Sequence, residues 1–157
     1  MTTMTARPPH AHYPDHRPTW PLWHVLPDMG ALITAPRTAR AQVRDILRVW
    51  ELTRFEENAV LIASELITNV VRQCHDPDGT PVYIGGRLPV IQLSLFSDRA
   101  RLMIAVYDQV PGTPQERHPA DDAETGRGLE LIAMLGTWDW HPVPGGKVIR
   151  ALLAAAP

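Results

Sequence analysis

Residues Glu57–Cys74 read ENAVLIASELITNVVRQC, and this stretch decides the fold. Ala59, Ile62, Ala63, Leu66, Ile67, Val70 and Val71 recur at helical spacing, the pattern of a helix laid against a core. Glu65, Asn69 and Arg72 stand at i, i+4 and i+7, so they share one face of that helix. A carboxylate, a carboxamide and a guanidinium on an otherwise apolar helix need partners, because such groups are rarely buried alone. A metal–phosphate group is one partner that suits all three; a polar face open to solvent is the plain alternative.

Outward from this helix the pattern changes period. Upstream, Thr34-Ala-Pro-Arg has the form of a helix start, with Thr34 as cap and Pro36 in the first turn of a helix running to about Trp50. Ala39, Val43, Ile46, Leu47 and Trp50 form its apolar side, and Arg37, Arg40, Arg44 and Arg48 a basic stripe that is either solvated or a docking face. Trp20–Leu26 suits a first strand. Downstream, His75–Pro81 is turn-forming and Val82–Ile84 suits a short strand before Gly85-Gly86. VIQLSLF (Val90–Phe96) and RLMIAVYD (Arg101–Asp108) form a hairpin through SDRA. Gln109–Thr125 lacks apolar periodicity and holds three prolines, which suits a lid-like loop. A short helix, Leu129–Leu135, and a second hairpin, WDWHPV and KVIRALLA around Pro144-Gly145-Gly146, complete the order. Helix, helix, hairpin, loop, helix, hairpin predicts an α+β two-layer sandwich: a mixed, mostly antiparallel sheet covered on one face by about three helices. Regular βαβ alternation, the mark of a doubly wound fold, is absent.

Composition excludes several classes. The chain has 157 residues, 45% apolar and 20% charged, with a net charge of −2 and a single lysine, Lys147. No basic run offers a nucleic-acid surface. One cysteine, Cys74, permits no intrachain disulfide and fits a reducing compartment. No apolar run approaches the ~20 residues of a membrane span, and the N-terminus has no apolar signal segment, so a cytoplasmic protein is expected. Residues 1–19, rich in Pro, His, Thr and Arg, are expected to be a disordered or loosely ordered tail ahead of one domain at 20–157. His10, His12 and His16 in that tail lack acidic or Cys partners at ligand spacing, so a solvated tail is the better reading than a metal site.

Three segments carry possible chemistry. Asn69 offers a carbonyl oxygen of the kind Mg²⁺ takes, and Glu65 could act as a general base. Asp108 ends an apolar strand at a loop; its carboxylate suits an exocyclic amine, or else closes the strand as an Asx-turn. Thr125-Gly126-Arg127-Gly128-Leu129 opens a helix, where glycines let backbone N–H groups approach a phosphate, or where the chain simply bends. Neither a Walker loop nor a full dinucleotide fingerprint is present.

In this order the segments resemble a family. Glu65-x-x-x-Asn69 on a helix, Asp108 and Gly112 after a strand, Gly126-x-Gly128-Leu129 before a helix and a closing hairpin with Gly145-Gly146 look like the Bergerat-type ATP-binding fold of the histidine-kinase-like GHKL superfamily. ASELITNVVR, TGRGLELI and WDWHPVPGGKVIRALL further resemble the stand-alone anti-sigma-factor serine kinases and small actinobacterial ATP-binding regulators similar to them. The likeness spans about residues 36–155. It implies ATP and Mg²⁺ as ligands. Asn69 would hold the metal, Glu65 would be the catalytic base toward a protein serine, and Arg72 would lie near the phosphates. Asp108 would bind the adenine amine and Gly112 would let the base approach, while Thr125, Gly126, Arg127, Gly128 and Leu129 would form the lid and phosphate cradle, the lid spanning about 109–127. Implied partners are a sigma factor or an anti-sigma-factor antagonist protein, and a second copy in a homodimer, with no nucleic acid or membrane. Two departures stand out: Asp-x-Gly-x-Gly appears as Asp108-Gln-Val-Pro-Gly112, with Val110 for the first glycine, and a final Gly-Thr appears as Gly146-Lys147. Val110 keeps a second reading open, a regulator that acts by protein contact with little or no catalysis.

Overall fold

A computed structural model describes residues 20–114 and 127–154 of the chain, and at Arg127 the backbone only. The first strands, β1 (Leu22–Val25) and β2 (Met29–Gly30), lead into α1 (Ala35–Val49). A single 3-10 turn, Thr53–Phe55, joins α1 to α2 (Glu56–Gln73). Then come β3 (Val90–Ser97), β4 (Arg101–Asp108), α3 (Arg127–Leu135), β5 (Thr137–Val143) and β6 (Gly146–Ala154). The sheet runs β1-β3-β4-β6-β5, with β2 also on β3, and every pairing among these strands is antiparallel. The architecture is the expected α+β sandwich, its sheet wholly rather than mostly antiparallel.

Strand alternation sorts the two faces of this sheet. Ile91, Leu93 and Leu95 of β3, Leu102, Ile104 and Val106 of β4, and Ile149, Ala151 and Leu153 of β6 point to the helices and are buried with them. From α2, Ile62, Leu66 and Ile67 are fully buried against this face, each contributing about 1.5–3 kcal/mol by leaving water. Phe96, Tyr107 and Val148 form a separate small cluster on the other face. Asp108 and Lys147 carry the inward parity of β4 and β6 and lie opposite each other in the ladder, so the sheet delivers both to the helix side.

The two long helices are tied by charge as well as packing. Arg40 donates to Ser64 Oγ at 2.8 Å, and Arg44 and Arg48 reach Glu56 at 3.8 and 3.1 Å. Three arginines of the basic stripe therefore clamp α1 to α2, a use that the pattern of α1 alone could not reveal because the partners lie on another helix. Helix α1 stops where Glu51 enters the left-handed region at φ 59°, which lets the Leu52 N–H return to the Leu47 carbonyl at 2.8 Å and buries Leu52.

The expected strand at Val82–Ile84 does not form. Only isolated bridges, His75 with Pro81 and Ile84 with Arg87, occur there. Gly85 and Gly86 take positive φ and turn the chain back within two residues, and Pro81 has no N–H to give a ladder. The boundaries elsewhere agree with the pattern to within two residues. The tail at 1–19 and most of the lid-like loop lie outside the described residues.

Candidate functional site

The polar stripe of α2 is graded rather than uniform. Glu65 and Asn69 are half-buried and Arg72 is exposed. What covers the first two is the start of α3. A Cβ placed on Gly128 would sit 3.0 Å from Glu65 Oε2 and 3.2 Å from Asn69 Nδ2, so the α3 backbone lies close against the stripe and any larger residue would press on both side chains. Leu129, next in the chain, is buried in the core and fixes the approach. The structure thus brings Gly128, Glu65 and Asn69 together, at a helix N-terminus where the backbone dipole favours an anion. Thr125 and Gly126 lie outside the described residues, and of Arg127 only the backbone at the start of α3 is described.

Beside this junction opens a cavity of about 280 Å³. Asn69 and Arg72 line its α2 wall, Asp108 and Lys147 its sheet wall, and Val110 and Gly112 the loop that follows β4. Glu65 stands one turn away from Asn69, outside this lining, and reaches the site through Gly128. Gly112 adopts φ +104°, a conformation other residues rarely take, so its place in the wall is a backbone requirement. Val110 has no such conformation among the residues with positive φ; the substitution for glycine is accommodated without backbone strain there.

Asp108 is fully buried, and its two oxygens have different fates. Oδ1 accepts the Val110 N–H at 2.8 Å, which is an Asx-turn, and the Lys147 ammonium at 2.9 Å. Lys147, 3% exposed, also donates to the Val110 carbonyl at 2.9 Å. Oδ2 is buried with no partner among the described residues. Burial pushes the Asp108 carboxyl above the ordinary carboxylate range, while the hydrogen bond and charge of Lys147 and the Val110 N–H pull it down. Nearby Cys74 is affected by the same group: burial first, then the Asp108 charge, against the opposing pull of Lys147, pushes its thiol up to about 11.

Lys147 is the site residue that motif reading left out. Its signal lay in the sequence: the chain's single lysine opens an apolar strand at an inward-facing position.

The arrangement fits a magnesium nucleotide. Asp108 Oδ2, without a partner among the described residues, can accept a buried N–H, the α3 backbone at Gly128 lies against Glu65 and Asn69, and Asn69 offers a carbonyl oxygen to a hard cation. Among the described residues no cluster of three His, Cys, Asp or Glu could hold a metal by itself. No helix there is long and apolar enough to cross a membrane. A family model described as the histidine kinase-like ATPase domain matches residues 30–152, and no curated protein gives a significant match.

Proposed function

The chain belongs to the histidine kinase-like ATPase domain family, and from that premise we propose that it is a cytoplasmic ATP-binding regulator of the anti-sigma-factor type, with serine kinase activity toward an antagonist protein. The observation that carries this reading is the meeting of Gly128 with Glu65 and Asn69 beside a cavity whose opposite wall holds Asp108. A nucleotide laid across that cavity places its base at Asp108 and its phosphates at the α3 N-terminus. Asp108 Oδ2 accepts the adenine amine, Gly112 lets the base approach, and Asn69, Arg72 and the 125–129 segment hold the phosphate end. Asn69 would hold Mg²⁺ through its carbonyl oxygen, and the ion would supply charge neutralisation at the phosphate end. Glu65 takes the proton of the serine hydroxyl as that oxygen bonds to the terminal phosphorus and the bond to the leaving diphosphate breaks. The protein partners are a sigma factor, an antagonist carrying the acceptor serine, or both, and the working form is a homodimer.

Calorimetry with ATP and ADP in the presence of Mg²⁺ tests the binding; no heat for either nucleotide would sink the reading. Glu65→Ala should abolish transfer to the acceptor protein and leave nucleotide affinity within about threefold, since a base acts in the transition state rather than in binding. Transfer that survives in Glu65→Ala removes Glu65 as the base. A second reading, a regulator that works by contact alone, draws on the double engagement of Asp108 Oδ1 by Lys147 and Val110. Nucleotide binding without turnover in the presence of the acceptor would favour it.

A further inference from the structure

A buried ion pair is an expensive way to close a strand end, since apolar side chains of similar volume often do so at no cost in stability. The Asp108–Lys147 pair also leaves hydrogen-bonding capacity unspent. An ammonium has three N–H donors; the Asp108 Oδ1 and Val110 carbonyl contacts use two. A carboxylate has two acceptor oxygens, and Oδ2, although buried, has no partner among the described residues. Both residues line the cavity. Among the described residues the sheet wall therefore holds one unspent acceptor and one unspent donor, set opposite each other by the β4–β6 ladder and buried.

That pair complements the Watson–Crick edge of adenine, in which the amino N–H at position 6 neighbours the lone pair of N1. We propose that Lys147 is a base-reading residue, its remaining N–H donating to adenine N1 while Asp108 Oδ2 accepts from the amine; this rests on the nucleotide-binding reading above. The donor is charged, so the contact is stronger than one from a hydroxyl or water. A 6-oxopurine reverses the order of donor and acceptor, setting its carbonyl against the carboxylate and its N1–H against the ammonium. Lys147 thus adds a second point of discrimination to a pocket in which Asp108 alone would read a single amine.

The test uses the full chain and three probes, ATP, 1-deaza-ATP and 3-deaza-ATP, titrated with Mg²⁺ by calorimetry. In the wild type, replacing N1 by C–H should weaken binding by about 10–100-fold, the cost of losing a hydrogen bond to a charged donor, and 3-deaza-ATP should bind like ATP. In Lys147→Thr the penalty at position 1 should fall to about threefold or less. ATP binding with equal affinity for 1-deaza-ATP, or the same penalty in wild type and Lys147→Thr, overturns the role of Lys147 and leaves the nucleotide site standing. Silence toward all three probes overturns both. Should Lys147→Thr fail to fold, the wild-type comparison decides: a penalty confined to position 1 upholds the assignment, and equal penalties at positions 1 and 3 overturn it.

Discussion

Replacing Lys147 by Met leaves the Asp108 carboxylate fully buried with one backbone N–H and no counter-charge. Breaking a buried pair from one side costs about 3–5 kcal/mol, because the remaining charge keeps its desolvation penalty. Against a total stability of about 5–15 kcal/mol this is a large fraction. With a urea m-value near 2 kcal/mol/M, the midpoint should fall by about 1.5–2.5 M. Removing both charges, in Asp108→Asn with Lys147→Met, removes the penalty and should return the midpoint to within about 0.7 M of wild type. The deficit of the single variant also carries a pH signature. The folded Asp108 carboxyl already lies above its ordinary value because of burial, and Lys147 is what holds it down. A group whose folded value is raised contributes stability that is present below its unfolded value, about 3.9, and lost as pH rises through the folded value. The deficit of Lys147→Met should therefore be largest at pH 7 and shrink as pH falls, disappearing only below about 3.9, where the carboxyl is protonated in both states. Urea denaturation of the three proteins at pH 7 and pH 4.5 measures this. A double variant no more stable than the single, or a deficit equal at both pH values, would refute the reasoning.

Three further outcomes follow from individual contacts. Gly128→Ala should leave stability within about 1 kcal/mol, as a better helix former offsets contacts of 3.0 and 3.2 Å with the movable ends of Glu65 and Asn69; ATP affinity measured by calorimetry should drop about tenfold or more, and a loss of stability with affinity intact would assign the glycine to folding instead. Cys74, pushed from 9.0 to about 11 by burial, contributes stability that is complete below pH 9 and lost between pH 9 and 11, up to about 3 kcal/mol. Wild type should consequently lose more stability than Cys74→Ala over that interval, and parallel denaturation curves of the two proteins would contradict the shift. Glu51→Gly should raise stability by about 0.5–1 kcal/mol by relieving a left-handed residue after α1, read as a higher urea midpoint; a lower one would mean the Glu51 side chain matters more than its backbone.

Periodicity was enough for the layers because burial repeats with the geometry of each element. The α2 residues at helical spacing and the alternation in β3, β4 and β6 each name one face, and those faces meet in a single core. The misreading at Val82–Ile84 has the opposite cause: three apolar residues gave a strand signal, but Pro81 and the paired glycines removed the ladder partners. The arginine stripe of α1 was visible as a stripe and invisible as a clamp, since Ser64 and Glu56 lie on a different helix and no local pattern joins them. The same limit explains Lys147. Its register opposite Asp108 depends on how β4 pairs with β6 across an intervening loop and helix, which motif spacing does not encode.

That register also reassigns what Val110 does. As a residue in place of glycine it suggests a pocket narrowed by side-chain bulk. In the folded chain its backbone N–H and carbonyl bracket the ion pair, one bound to Asp108 Oδ1 and the other to Lys147, while its side chain packs against the main core. Main-chain groups make these contacts, so any residue with an N–H and an unstrained φ could supply them; what valine adds is an apolar anchor for the loop. A loop anchored this way holds the lysine in place, and the lysine in turn opposes the upward pull of burial on the Asp108 carboxyl and fixes its Oδ1. Val110 and Lys147, which look like two separate departures from a nucleotide-site pattern, are in the structure two parts of one device around Asp108.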